Sequence, residues 1–149
     1  MKTYVQQIML GTVTGSEEAA RATLRRVRAA GYDGLELNRF MTRPTSLMVR
    51  LLTKAAGMPT GRGGKLDWPK LMGEIGLETI SYHADLGSLE REAAAVAQEA
   101  KALGTDRVVV TGMYRFDYGS EQAVKDLARR LNAAGADRKS TRLNSSHQI

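Results

Sequence analysis

Four short apolar segments alternate with helical segments along this 149-residue chain, and this alternation constrains the fold more than any other feature. Strands are predicted over residues 4–13, 35–37, 77–83 and 107–111. Strands separated by helices pair in parallel through right-handed crossovers, so the repeated β-α order predicts an α/β fold with a parallel sheet. The continuous apolar run 108–110 favours a strand covered on both faces. Four such units fit a small flavodoxin-like sheet or half of an eight-stranded barrel.

Capping residues mark the ends of the predicted helices. Ser16 can accept a hydrogen bond from the first turn of a helix that ends before Gly31, a residue type suited to the left-handed conformation after a helix. The remaining helices are predicted over residues 46–56, after Asp67, over 89–103 and over 120–134, the last ending at Gly135. Trp68 lies at helical spacing with Leu71 and Met72, so we interpret it as core packing rather than as a surface on which a sugar stacks.

The composition excludes several classes of protein. Hydrophobic residues make up 42% of the chain and charged residues 26%, as in an ordinary soluble domain. The absence of cysteine rules out disulfides, thiolate metal ligands and a cysteine nucleophile. The net charge of +6 is scattered along the predicted helices, and no run approaches the roughly 18 apolar residues that span a bilayer. We therefore expect a soluble cytoplasmic protein with neither a nucleic-acid partner nor a membrane partner.

Two glycine-containing segments fail to match nucleotide-binding motifs. Residues 11–15 have the wrong spacing for the dinucleotide-binding pattern G-x-G-x-x-G. Residues 61–65 resemble a phosphate-binding loop, but Leu66 stands where such a loop needs serine or threonine, and Pro59 stands where it needs its first glycine. We interpret the second segment as a surface loop.

Three short motifs carry a resemblance to a known family. They are GYDGLE at residues 31–36, SYH at 81–83, and AKALG at 100–104 leading into RVVV at 107–110. In order and spacing the chain resembles the sugar phosphate isomerase/epimerase family, the xylose-isomerase-like TIM barrels, over residues 4–135. The family fold has eight βα units, typically in about 250 residues, and only four units fit here. The resemblance therefore implies a truncated TIM barrel that contains the amino-terminal half.

The resemblance also implies a chemistry. Members of the family interconvert aldoses and ketoses, or epimerise sugars, by metal-assisted proton transfer next to a carbonyl group. A divalent metal (Mn, Mg, Co or Zn) is expected for the full-length family member, with its ligands and two acid–base glutamates on the later strands. Those positions are absent from this chain. We therefore expect a fragment that binds a small sugar or polyol but is inactive alone.

In a barrel, chemistry takes place at the carboxyl ends of the strands and in the loops that follow them. This criterion selects the candidate substrate-binding residues His83, Glu36, Asn38, Asp85 and Arg115. His83 is the strongest candidate, because an imidazole can hydrogen-bond a sugar hydroxyl or polarise a carbonyl. The resemblance implies a substrate-contacting histidine at this position. The alternative is a structural histidine at a strand end.

Each of the other candidates also has a structural alternative. Glu36 can bind a sugar hydroxyl or support a metal, or it can pair with Arg39. Asn38 and Asp85 are of residue types that cap turns and helices. Arg115 can close over a phosphate or carboxylate, or it can remain a solvated loop residue. We predict no catalytic residue and no metal ligand among these positions.

Two other functions remain open. A zinc endonuclease of the same barrel class would need histidine at the ends of strands two and three and glutamate near strand four, whereas here strand two ends in Asn38 and strand four in Thr111. A non-catalytic, flavodoxin-like binding domain would be complete at four strands. A half barrel, by contrast, predicts exposed strand edges and self-association through them.

The last thirteen residues, 137–149, differ from the rest of the chain. They lack any apolar period, whereas a barrel would continue after Gly135 with a fifth apolar strand. Residues 137–147, DRKSTRLNSSH, resemble one translated frame of a common sequencing-library adapter. We therefore expect a partial barrel domain over residues 1–136 and a disordered, non-native tail over residues 137–149.

Overall fold

The computed structural model describes residues 1–44, 47–55, 66–110 and 116–145, and its centre is a parallel sheet. The strands are β1 (Tyr4–Gln6), β2 (Gly34–Asn38), β3 (Glu78–Ala84) and β4 (Val108–Val110). All neighbours pair in parallel, in the order β1-β2-β3-β4. This confirms the predicted α/β class. A flavodoxin-like sheet would place β1 between β2 and β3, so the consecutive order is that of a partial TIM barrel and contradicts the flavodoxin-like alternative.

Seven helices connect and follow the strands in the described part of the chain. They are α1 (Gln7–Leu10), α2 (Glu17–Ala29), α3 (Arg39–Thr42), α4 (Leu47–Ala55), α5 (Trp68–Ile75), α6 (Leu86–Ala102) and α7 (Glu121–Ser145). The predicted caps form: the Ser16 side chain accepts from Ala19 N, and the Asp67 side chain accepts from Lys70 N. Gly31 has φ +90°, the left-handed value expected of the residue after α2.

The first predicted strand is shorter than expected. Residues 4–13 form β1 only as far as Gln6, and the apolar run that follows becomes α1 and a 3₁₀ turn, Gly11–Thr14. Gly11 has φ +34° and ends α1 in a conformation that a glycine tolerates best. Met9 is 76% exposed, so the apolar run does not have the burial of a central strand. The predicted loop after β2 likewise contains the short helix α3.

The last helix is longer than expected. The sequence predicts a helix end at Gly135, whereas α7 continues to Ser145, and the disorder expected over residues 137–149 stays a prediction. Gly135 does not adopt the left-handed conformation that ends a helix. The arginines, lysine and leucine beyond it favour helix by propensity, which accounts for the difference. The boundary proposed after residue 136 stays a prediction.

The two faces of the sheet differ in chemistry. Side chains alternate between the faces of a strand, and one face of β2 and β3 carries Leu35, Leu37, Tyr82 and Ala84. These side chains belong to one buried cluster with the apolar sides of α2, α5 and α6, including Leu24, Trp68, Leu71 and Val96. The opposite face carries polar residues at the carboxyl ends of the strands. The fold thus separates the apolar core from a polar surface that would face the interior of a barrel.

One predicted burial pattern is wrong. In β4, Val108 and Val110 are half-buried but Val109 is 39% exposed, so this strand is covered on one face rather than both. In α4, which lies within the helix predicted over residues 46–56, Leu47, Leu51 and Leu52 are each at least 60% exposed. Within the described ranges, no helix is both long enough and apolar enough to cross a membrane.

Candidate functional site

A group of polar side chains lies at the carboxyl ends of β2 and β3. The strand register pairs Glu36 with Ser81 and Asn38 with His83. Because residues two apart on a strand face the same side, these four side chains share one face of the sheet. They form two successive rows at the edge where a parallel barrel places its chemistry. We call them, together with Gln7, the polar cluster.

His83 and Glu36 are the two ionisable members of the polar cluster. His83 Nε2 lies 3.3 Å from Glu36 Oε2, and the two side chains are 11% and 31% exposed. This separation is within the range of an ion pair, but the pair does not meet hydrogen-bond geometry, so the buried His83 Nε2 has no hydrogen bond to any described residue. Alignment decides whether a buried nitrogen is satisfied, and proximity to a carboxylate alone does not satisfy it. The imidazole is therefore positioned beside a carboxylate and retains hydrogen-bonding capacity.

Four buried side-chain atoms of the polar cluster have no hydrogen-bond partner in the part of the chain that the structure describes. They are Gln7 Nε2, Asn38 Nδ2, Ser81 Oγ and His83 Nε2. Leaving one buried polar group unsatisfied costs about 1–3 kcal/mol, and native proteins rarely keep several together. They are concentrated at the carboxyl ends of strands, where they can form hydrogen bonds with a polar ligand.

Gln7 and Ser81 were not selected from the sequence. Gln7 is fully buried, and its Oε1 accepts a hydrogen bond of 2.8 Å from the backbone N of Asn38. The amide nitrogen of Gln7 has no hydrogen-bond partner among the described residues. Ser81 was detectable, because it lies two residues before His83 on a predicted strand. Gln7 was not detectable from the sequence, because its side chain reaches the site only as a result of the early end of β1 and the start of α1 at this residue.

Two candidates from the sequence do not belong to the polar cluster as described. Asp85 lies apart from it, and Arg115 lies outside the described residues. Asp85 caps α6: its Oδ1 accepts from Ser88 N at 2.8 Å, and its Oδ2 accepts from Ser88 Oγ at 2.6 Å. Burial raises the pKa of Asp85, but these bonds lower it by more, so the pKa lies below its ordinary value. Its carboxylate therefore serves the helix end, and a role in substrate binding stays a prediction.

Arg39 does not pair with Glu36, the partner considered from the sequence. Its side chain is 8% exposed, and its guanidinium donates to Glu99 at 2.8 and 3.0 Å and to Glu92 at 2.6 Å. The hydrogen bonds with Glu99 are the main reason that the pKa of Arg39 lies above its ordinary value. This ion-pair network joins α3 to α6 on the outer side of the sheet. In the described part of the chain, the charged neighbour of Glu36 is instead His83, at 3.3 Å.

Tyr82 connects the same network to the sheet. Its hydroxyl donates to Glu99 Oε2 at 2.9 Å and lies 3.2 Å from Thr42 Oγ1. Burial raises the pKa of Tyr82 to about 12. Since Tyr82 points to the face opposite His83, its hydroxyl stabilises the helical layer and does not reach the polar cluster.

The described residues do not supply a complete metal site. Among them, no group of three or more histidine, cysteine, aspartate or glutamate side chains lies close enough to hold a metal ion. His83 and Glu36 would contribute two ligands, whereas a catalytic zinc site uses three protein ligands. The described donors alone therefore do not fit the divalent metal that the family resemblance implies.

The consecutive four-stranded sheet, with polar side chains at its carboxyl edge, places this chain in the class of partial TIM-type barrels. A solved structure that resembles it is a sugar phosphate isomerase/epimerase from Parabacteroides distasonis, with a TM-score of 0.61 and 18% sequence identity. The match covers 94% of this chain and 48% of the other, so the chain spans about half the length of that protein. At this identity the likeness shows the fold. No family model and no curated protein matches the sequence.

Proposed function

We propose that this chain supplies the substrate-binding part of a sugar phosphate isomerase or epimerase. The observation that carries the proposal is the set of four unsatisfied polar atoms at the carboxyl ends of the strands. The half-length likeness to a sugar phosphate isomerase/epimerase supports it, because the same edge of a barrel is where such chemistry takes place.

The polar cluster has the hydrogen-bonding chemistry that a sugar or polyol needs. The amide nitrogens of Gln7 and Asn38 donate, the carboxylate of Glu36 accepts, and the Ser81 hydroxyl does both. The imidazole of His83 can donate to a carbonyl oxygen or accept from a hydroxyl, depending on its tautomer. A ligand whose neighbouring carbons each carry a hydroxyl can meet several of these groups together.

The proposed reaction moves protons and no other atoms. A base removes the proton from the carbon next to a carbonyl group, which leaves an enediolate. In an isomerisation this proton is returned to the former carbonyl carbon, while the proton of the neighbouring hydroxyl moves to the former carbonyl oxygen. In an epimerisation the proton is returned to the other face of the same carbon. Glu36 and His83 would orient the oxygens of the substrate during this transfer. We expect this chain alone to bind without turnover, because the described residues lack the complete set of ligands for the implied metal.

Ligand binding tests the proposal directly. Ligand-detected NMR with a panel of aldoses, ketoses and polyols, each with and without phosphate, should show binding to the unmodified chain. Asn38→Ala should weaken it about tenfold or more, because each lost hydrogen bond in a buried site costs about 1–3 kcal/mol. Asn132→Ala, the same change at an exposed position on α7, is the matched control and should leave the affinity unchanged.

Two outcomes would contradict the proposal. Equal affinities for the Asn38→Ala variant and the unmodified chain would remove the polar cluster from the binding site. Interconversion of a sugar by the chain with added divalent metal, lost in His83→Ala, would show that the chain is catalytic by itself.

A further inference from the structure

The sheet has two open edges in the described part of the chain. β1 pairs only with β2, and β4 pairs only with β3. Arg107 O accepts from Tyr82 N at 2.9 Å, so this carbonyl faces β3. Backbone groups of successive residues in a strand point to opposite sides. Val108 and Val110 lie one and three residues after Arg107, so their backbone groups point away from β3, towards the open edge. Unpaired edges of this kind are templates for pairing with another strand.

The two edges are complementary in direction and length. All four strands run parallel, and each edge strand has three residues. A two-fold axis along the strands would place β1 of a second copy beside β4 of the first, and the same rotation would place β4 of the second copy beside β1 of the first. Both joints would be parallel, and the result would be eight strands, a number that closes into a filled barrel.

Apolar side chains are exposed where this joint would form. Val109, which shares its face with His83, is 39% exposed on the edge strand. On α7, which packs against α6, Val124 and Leu131 are 41% and 36% exposed and lie two helical turns apart on one side. In a closed barrel, α7 would meet α2 of the neighbouring copy. The similar solved structure is about twice as long as this chain. A segment of that structure, about as long as this chain, therefore lies outside the match.

We propose that two copies of this chain associate edge to edge, β4 of each beside β1 of the other, into a closed eight-stranded barrel. The proposal goes beyond the proposed function and does not depend on it. Closure would bury Val109 and satisfy the edge backbone groups of both copies. It would also bring two copies of the Glu36–His83 pair to the same rim.

Sedimentation velocity over a range of concentrations tests this dimer. The unmodified chain should sediment as a discrete species of twice the 16.3 kDa monomer mass. Val109→Glu should raise the dissociation constant about tenfold or more, because closure would bury the new charge. Leu51→Glu is the matched control: it places the same charge on the exposed apolar side of α4, and it should leave the dimer intact.

Hydrogen exchange on the unmodified chain provides a second readout that needs no variant. The amides of Val108 and Val110 should gain protection as the concentration rises, while those of α4 should not. A monomer at all concentrations would overturn the proposal, as would open-ended oligomers, since edges that pair without closing produce chains. Dissociation by Leu51→Glu but not by Val109→Glu would also overturn it, and would assign association to α4.

Discussion

Replacing Trp68 by alanine is expected to lower the free energy of unfolding by about 3–5 kcal/mol, the usual cost of emptying a large buried aromatic site. Trp68 is 1% exposed and is one of the two largest fully buried side chains, with Tyr82. It begins α5 directly after the Asp67 cap and packs in the same cluster as Leu71 and Met72. Its loss would leave a cavity between α5 and the sheet that the surrounding backbone cannot fill.

Urea denaturation followed by circular dichroism measures this effect, because the variant lacks the only tryptophan and hence the fluorescence probe. Tyr118→Ala is the matched control, since Tyr118 is 64% exposed and its removal should change stability by less than about 0.5 kcal/mol. Trp68→Phe should show a smaller loss and remain measurable if the alanine variant does not fold. A Trp68→Ala variant with unmodified stability and weakened sugar binding would show that Trp68 is a stacking surface and not core.

Arg39→Ala is expected to lower the free energy of unfolding by about 2–3 kcal/mol at pH 7. Breaking a fully buried ion pair costs about 3–5 kcal/mol. We expect less because its partners Glu99 and Glu92 are 27% and 46% exposed and water can partly solvate them. Among the described residues, the variant would leave the Tyr82 hydroxyl as the one donor at hydrogen-bond distance from the Glu99 carboxylate.

Arg43→Ala is the control for this change. Arg43 lies 3.6 and 3.7 Å from the same two carboxylates, but it is 51% exposed, so its loss should cost less than about 0.5 kcal/mol. Thermal and urea unfolding of both variants at pH 7 and low salt provide the comparison. Equal effects of the two arginine substitutions would contradict the view that burial and geometry, rather than proximity of charge, make this network important.

The pH dependence of the network follows from its carboxylates. Burial raises the pKa of Glu99, but the hydrogen bonds from Arg39 and Tyr82 lower it by more, so the pKa lies below its ordinary value. The stabilisation by Glu99 is therefore present above the ordinary carboxyl pKa and is lost as the pH falls through the lowered value. The difference in stability between Arg39→Ala and the unmodified chain should shrink over that acidic interval.

Much of the fold was predictable because local signals agreed with one another. Ser16 and Asp67 cap helices as their residue types predict, and Gly31 adopts the left-handed conformation after α2. The early end of β1 was not predictable, because a run of apolar residues such as 8–10 fits a strand or a short buried helix equally well. The strand order also depends on tertiary pairing, which the periodicity of one chain does not encode.

The candidate site was predictable only in part. The carboxyl ends of β2 and β3 can be predicted from the pattern of apolar residues. The expectation that chemistry lies at such ends selected Glu36, Asn38 and His83, which the strand register brings together. Asp85 was selected by the same rule, yet its carboxylate caps α6, because position at a strand end does not reveal the direction of a side chain. Gln7 was missed because its place in the site depends on a turn that the sequence does not mark.

The most direct test of the polar cluster is to remove one unsatisfied atom and to measure both stability and affinity. In the Ser81→Ala variant, the buried hydroxyl, which has no partner among the described residues, is lost with little change in shape. If Ser81 is kept for a ligand, the free energy of unfolding should stay unchanged or rise by up to about 1 kcal/mol, while sugar affinity falls about tenfold. A variant that is destabilised by more than about 1 kcal/mol and binds sugars as tightly as the unmodified chain would show that Ser81 is structural. That result would contradict the assignment of this edge as the binding site.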